Sequence, residues 1–371
     1  MSRPLSAAVV GCGRMGAFTS PSVREYGPDC WLPSAHAEAI TAANGLDLIA
    51  LCDANADGVE RAGEHYGVAR RHLDHADLLV AGAPDLLGIA TRTIGRADMI
   101  LNAIAAGTRA FHVEKPVCNS VEELARLETA FAREDIFVTL GAVRRHFAIY
   151  QDAVRRARSG AYGALNAAHA EFGARTLYWS HPHTVDLILM AAAGAKVEAV
   201  QAKLGPVEQD AMTIINDPVV LDAGIWFEGG FSGHITRMPG TDFRMACDTA
   251  QIAVVANGSS LWLSGREKPA PGAPPPGPAG ANPYHEPERI DFNTPHDRPQ
   301  GALAPMLQLR DCLRGYAAAI AANAAIKRDI ITGQRILFAI VQSHLEGGRP
   351  VALDDVDPAM VIEGRTNGAP A

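Results

Sequence analysis

Apolar and polar positions alternate in two textures along the chain. Over the first 120 residues, short apolar runs at 5–13, 46–53, 85–91 and 109–116 are separated by stretches with helical spacing at 36–44, 55–67 and 95–107. A further helical stretch (120–134) and an apolar run (137–143) close the series. Fully apolar strands alternating with helices predict a parallel sheet covered on both faces.

From residue 165 onward, strand-like alternation broken by turn glycines dominates, at 197–205, 223–238 and 250–265. This predicts a second domain built on a mostly antiparallel sheet, with one helix inserted early at 182–193. Residues 269–283 are dense in proline and glycine and read as a low-complexity loop. Helices are expected at 304–325 and 331–345, packing back on the first domain. The fold class is therefore an α/β Rossmann domain (1–142) followed by an α+β domain (143–371) for substrate binding and oligomerisation.

Composition narrows the function classes. The chain has 371 residues, 48% hydrophobic and 20% charged, with a formal net charge of −8. That charge gives no basic footprint for nucleic acid. No apolar run reaches the roughly 18 residues of a membrane span. The apolar run at the N-terminus stops at a glycine turn, short of the roughly 7–15 residues of a secretory signal. A cytoplasmic protein with no membrane partner is expected. The six cysteines are scattered, with no C-x-x-C pair, and are read as reduced thiols.

The first apolar run ends in Gly11-Cys12-Gly13-Arg14-Met15-Gly16, a G-x-G-x-x-G turn. Glycines there permit a tight turn and let backbone N–H groups approach a phosphate at a helix N-terminus. Asp53 ends the second apolar run, where a carboxylate binds the adenosine ribose hydroxyls. It repels a 2′-phosphate, so NAD is favoured over NADP. Asp53 lies 37 residues after Gly16, against about 20 in the usual fingerprint. The excess falls in 17–33, an insertion that either overhangs the nicotinamide or substrate pocket or is a passive surface loop.

These motifs, with Ile89-Ala90-Thr91 and Glu114-Lys115-Pro116 in the same order and spacing, resemble the Gfo/Idh/MocA oxidoreductases (the glucose–fructose oxidoreductase and inositol dehydrogenase group). The segments 143–147, 159–165 and 334–351 resemble that family's link and closing elements. The resemblance implies a homodimer or homotetramer formed through the second sheet. It places Ala90, Thr91 and Glu114 with Gly11, Gly13, Arg14, Met15, Gly16 and Asp53 around the cofactor. It makes Lys115 the polarising group beside the nicotinamide, and His183, opening an H-x-x-D with Asp186, the acid–base residue. Asp186 then braces His183 or caps its turn, and Arg145 joins the substrate site.

Three departures from that family stand out. Trp179 occupies the place of an aspartate four residues before His183, and its aromatic face suits a less polar ring. Arg92 and Arg96 stand where a proline and a histidine are usual, and each is read either as binding an acidic substrate or as a solvated side chain. His181 either supplies part of the missing polar function or is a structural histidine. Two histidines at 181 and 183 are too few for a catalytic metal, so no metal is assigned. The function implied is hydride transfer between nicotinamide and a carbinol, carbonyl or imine carbon of a small cyclic polyol, sugar or sugar derivative. An NAD-dependent glycosidase using transient oxidation and a non-catalytic NAD-binding sensor are the alternatives.

Overall fold

The computed structural model describes residues 3–266, 287–291 and 300–365. The proline- and glycine-rich stretch at 269–283 lies outside them. The first sheet contains β1 (Leu5–Val10), β2 (Leu46–Cys52), β3 (Arg70–His72), β4 (Leu86–Ile89), β5 (Ala110–Val113) and β6 (Phe137–Leu140). All pairs are parallel, in the order β3-β2-β1-β4-β5-β6. The intervening helices are α1 (Pro21–Tyr26), α2 (His36–Ala42), α3 (Ala56–Tyr66), α4 (His75–Val80), α5 (Arg96–Ala106) and α6 (Val121–Phe131). β4 and β5 are buried at every position, as strands covered on both faces must be. The strand order reverses between β1 and β4. The crevice at their carboxyl ends is therefore where this sheet type takes a ligand, and Gly11, Ala90 and Lys115 all stand there.

The 17–33 excess interrupts the helix that should follow the glycine turn. An unbroken helix would pair the carbonyls of Met15 and Gly16 with N–H groups four residues on, at 19 and 20. They instead accept from His36 (2.9 Å) and Ala37 (2.8 Å), each seventeen positions later. Taking seventeen from the 37 residues between Gly16 and Asp53 leaves twenty, the ordinary spacing. The chain leaves the helix after one turn, makes an excursion and rejoins it.

The excursion is structured. Thr19 Oγ1 accepts from the amides of Ser34 and Ala35 at 3.1 Å and donates to Glu38 at 2.6 Å, tying the two ends together. At its tip, the Trp31 indole donates to the Asn257 carbonyl (3.3 Å) and its ring lies 5.4 Å from Phe147. The segment therefore bridges to the second half of the molecule instead of standing as a passive surface loop.

The second half contains α7 (Ala148–Ala157), β7 (Leu165–Glu171), α8 (Leu177–Ala192), β8 (Val197–Leu204), β9 (Gln209–Asp210), β10 (Thr213–Asn216), β11 (Val220–Phe227), β12 (Ser232–Thr236), β13 (Asp242–Cys247), β14 (Ala250–Val255), β15 (Ser260–Gly265), β16 (Glu288–Ile290), α9 (Leu303–Leu313), α10 (Ala317–Leu345) and β17 (Val361–Arg365). Eight strands form one sheet in the order β16-β15-β14-β13-β7-β12-β11-β8, antiparallel except for the β7–β12 pair. β9, β10 and β17 form a small second sheet. The fold is a Rossmann domain joined to an α+β unit with an open, mostly antiparallel sheet.

Several expectations are corrected. The short elements β3, α4, β9, β10, β16 and β17 carry too little periodicity to stand out, and β13, which alternates in burial along its length, adds a further strand to those expected. α8 begins at Leu177 instead of 182. A proline reads as a first-turn residue, but Pro182 lies inside this helix. The earlier start depends on a cap from elsewhere: Asp217 accepts from the amides of Tyr178 (2.7 Å) and Trp179 (3.0 Å). The last two helices break at Gly315, which has φ +79°. α10 then runs unbroken for 29 residues, packing against α6, β6, α8 and β8.

Candidate active site

The glycine turn sits at the end of β1 with three distinct demands. A Cβ on Gly11 (φ +94°) would meet the Ala90 carbonyl at 2.7 Å, and one on Gly16 would fall 1.6 Å from the Gly11 oxygen. Nothing lies within 4 Å of the Cβ position at Gly13, so that face is open to a phosphate. These are the roles of glycines in a dinucleotide turn: chain reversal, close approach and packing. Asp53 extends from β2 beside the turn. One of its oxygens accepts from the Cys12 amide (2.6 Å) and the other from the Asn55 amide (2.8 Å). Thr91 Oγ1 is buried next to the turn without a partner. Met15 is half-buried and Arg14 exposed. An open glycine face, a carboxylate at the end of β2 and an orphaned hydroxyl fit a dinucleotide.

Glu114-Lys115-Pro116 leaves β5 at the same edge. Arg96, the first residue of α5, is buried and donates to the carbonyls of Glu114 (2.5 Å), Pro116 and Thr91. It is neither solvated nor free for an acidic substrate, because its guanidinium is committed to the backbone that carries Lys115. Burial lowers its pKa to about 10. Arg92 is exposed.

Glu114 is buried and 3.4 Å from the fully buried His36, and it also accepts from the Lys115 amide at 3.3 Å. Burial alone would raise its carboxyl. The hydrogen bond and charge of His36, together with the Lys115 ammonium, hold it at about 2. Glu114 thus stays an anion behind the lysine.

Lys115 Nζ donates to the Trp179 carbonyl at 2.8 Å and lies 4.0 Å from the centre of the Trp179 indole, within cation–π range. The Trp179 side chain is 63% exposed. Burial lowers the lysine's pKa and Arg96 and Arg144 add to the effect, while Glu114 and Asp217 oppose it. His183 follows Trp179 by one helical turn on the same face of α8. Its Nδ1 is buried without a partner. Burial, then the charges of Arg144 and Lys115, place its pKa well below the ordinary value, so the imidazole is neutral at pH 7 and able to accept a proton.

Three sequence-derived assignments are corrected. Asp186 does not brace His183. It pairs with Arg145 at 2.8 Å, and Arg145 also reaches Asp329 at 3.1 Å, all three buried. Asp186 and Arg145 therefore form a buried ion network instead of contacting substrate. His181 is 0% exposed with both ring nitrogens engaged, by Thr184 Oγ1 (3.1 Å) and the Arg175 carbonyl (3.2 Å), which makes it the structural histidine.

Other residues packed around this site are not marked in the sequence. Arg144 is buried between the rings of Trp31 (4.6 Å) and Phe172 (4.9 Å) and donates to Asn257 Oδ1 (2.8 Å). His36 and Asp217 belong with it. None carries a local motif; only the H-A-E that resumes helical spacing at 36–38 hinted at His36. Among the described residues, no group of three or more His, Cys, Asp or Glu is placed to hold a metal, and no helix is long and apolar enough to cross a membrane.

Comparison with known proteins agrees with this geometry. Residues 5–142 match the sequence model of GFO_IDH_MocA, an oxidoreductase family with an NAD-binding Rossmann fold. Two curated relatives align with part of the chain. The NAD(+)-dependent scyllo-inositol 2-dehydrogenase of Bacillus subtilis is 26% identical over 44% of this chain and 43% of its own. The inositol 2-dehydrogenase of Gluconacetobacter diazotrophicus is 33% identical over 35% of this chain and 39% of its own. The matched stretches thus span less than half of either relative. The fold likeness runs further. An inositol dehydrogenase homologue from Azotobacter vinelandii, solved with NADH and myo-inositol, superposes with a TM-score of 0.69 at 16% identity, over 95% of this chain and 98% of that one.

Proposed function

We propose that the protein is an NAD-dependent dehydrogenase acting on a small cyclic polyol, sugar or sugar-derived substrate, in a chain divided at residue 142 into cofactor and substrate domains. The observation that carries this reading is the approach of Lys115, at the end of β5, to the first turn of α8, one turn ahead of a neutral His183. Gly11, Gly13, Gly16, Ala90 and Thr91 would hold the dinucleotide phosphates and nicotinamide ribose, and Asp53 the adenosine ribose. Bound NAD supplies the hydride acceptor in one direction and the donor in the other.

The residues of the chain manage the proton. In the oxidative direction, the substrate hydroxyl gives its proton to His183. The Lys115 ammonium meanwhile stabilises negative charge developing on the same oxygen. One of the lysine's three N–H donors is spent on the Trp179 carbonyl, leaving two for substrate. The exposed indole of Trp179 offers the substrate an apolar face, which favours a ring with one less polar side. A second copy of the chain is expected on the outer face of the eight-stranded sheet. Trp226 is exposed there, and the His169 and His234 rings stack 4.7 Å apart.

A panel of cyclic polyols, aldoses and amino sugars tested for NADH absorbance is expected to yield turnover with at least one member. Asp53→Ser should weaken NAD about tenfold or more, since it removes two charge-assisted hydrogen bonds to ribose, and should narrow the preference over NADP. Tight NAD binding without turnover on any member would instead indicate a sensor. Free sugar released from glycosides without net NADH would indicate the glycosidase.

A further inference from the structure

We propose that Asp217, on the loop between β10 and β11, is a positioning residue for Lys115, fixing the Trp179 backbone that receives the lysine ammonium and supplying a negative charge beside it. The inference rests on the reading of Lys115 as the polarising group. Asp217 is buried, and its two oxygens accept from the amides of Tyr178 (2.7 Å) and Trp179 (3.0 Å). The Trp179 carbonyl in turn accepts from Lys115 Nζ at 2.8 Å, and the indole covers that ammonium at 4.0 Å. One residue of α8 is thus held by Asp217 on its N–H side and by Lys115 on its carbonyl and ring.

Electrostatics favour such a group. The first turn of a 16-residue helix presents the positive end of its dipole, an unfavourable neighbour for an ammonium. The charges of Arg96, from α5, and Arg144, from the segment after β6, also act against the Lys115 ammonium. His183 contributes no negative charge. Glu114 does, but its carboxylate is already engaged by His36 and the Lys115 amide. Position 179, on the face of the lysine, carries an uncharged indole. After Glu114, the other carboxylate acting on Lys115 is Asp217, whose charge opposes the helix end and the two arginines. Its own carboxyl is raised by burial and pulled back by these amides and by Lys115.

The test is competitive acetylation of the full-length protein with acetic anhydride across pH, reading the Lys115 peptide by mass spectrometry. Asparagine keeps one acceptor oxygen, as in a helix cap, in place of the two of aspartate, and Asp217→Asn should fold and bind NAD. Its Lys115 labelling midpoint should fall by about one pH unit. Asp217→Glu should stay near the parent, and Asp210→Asn, an exposed acid on β9, should leave the midpoint unmoved. An unmoved midpoint in Asp217→Asn, or an equal fall in Asp217→Glu, overturns the proposal. A shifted midpoint in a protein that oxidises no substrate leaves the positioning role standing and removes the dehydrogenase reading instead.

Discussion

Replacing His183 with alanine is expected to lower turnover by about 10²-fold or more while leaving NAD affinity nearly unchanged. The split follows from where the residue sits. His183 projects from α8, in the second half of the chain, whereas the dinucleotide determinants stand on β1, β2 and β4. On the proposed mechanism, losing the imidazole removes the proton acceptor without touching the glycine turn. Hydride leaves carbon only as the hydroxyl proton departs, so the whole chemical step slows. The measurement is a steady-state rate by NADH absorbance alongside NAD titration. Unchanged turnover would remove His183 from the mechanism.

The pH dependence has a defined sign. Burial and the neighbouring cations hold the His183 pKa well below its ordinary value. The basic form is therefore fully present at neutral pH, and oxidation should lose rate only as the pH falls well under about 6.5, the unperturbed histidine value.

Arg145→Met is expected to cost about 3–5 kcal/mol of stability, because it strands the buried Asp186 carboxylate without its cation and leaves Asp329 only the exposed Arg328. Asp186 and Asp329 are both buried and both paired to this guanidinium. The pH dependence distinguishes this origin from simple loss of packing. Burial raises the Asp186 carboxyl to about 6 even with Arg145 present. A raised acid binds its proton more readily folded than unfolded, so its contribution to stability falls as pH rises from about 4 through 6. Without Arg145 the ionised carboxylate is worse placed still, so the loss on substitution should be largest above pH 7 and shrink towards pH 5. Denaturant unfolding at the two pH values gives the comparison. A loss under about 1 kcal/mol, with a raised KM for substrate, would falsify the structural role and return Arg145 to the binding site.

The two residues show what a local motif can suggest and what it cannot. His183 was legible because H-x-x-D at the start of an apolar helix resembles a known arrangement. Its supposed partner was not, since Asp186 turns to an arginine 41 residues earlier, and that arginine turns to an aspartate 184 residues later. His181 looked equally chemical in the sequence, yet its two hydrogen bonds close it off. Arg96 resembled a substrate ligand or a solvated side chain, and is instead a buried brace for three carbonyls. Its position at the first turn of α5 says nothing of the loop it meets.

By itself, the amino-acid sequence determined the features set by the local backbone: the glycine turn at 11–16, the acid ending β2, the turn carrying Lys115, and the parallel character of the first sheet. These depend on steric limits and on periodicity within a few residues, which any short window contains. Only the tertiary structure decided which charges meet. It spliced the interrupted helix at His36, closed α8 with Asp217, sealed Asp186 against Arg145, and set the indole of Trp179 over the lysine. Burial raises the energetic weight of every such pairing, and burial is a property of the packed whole.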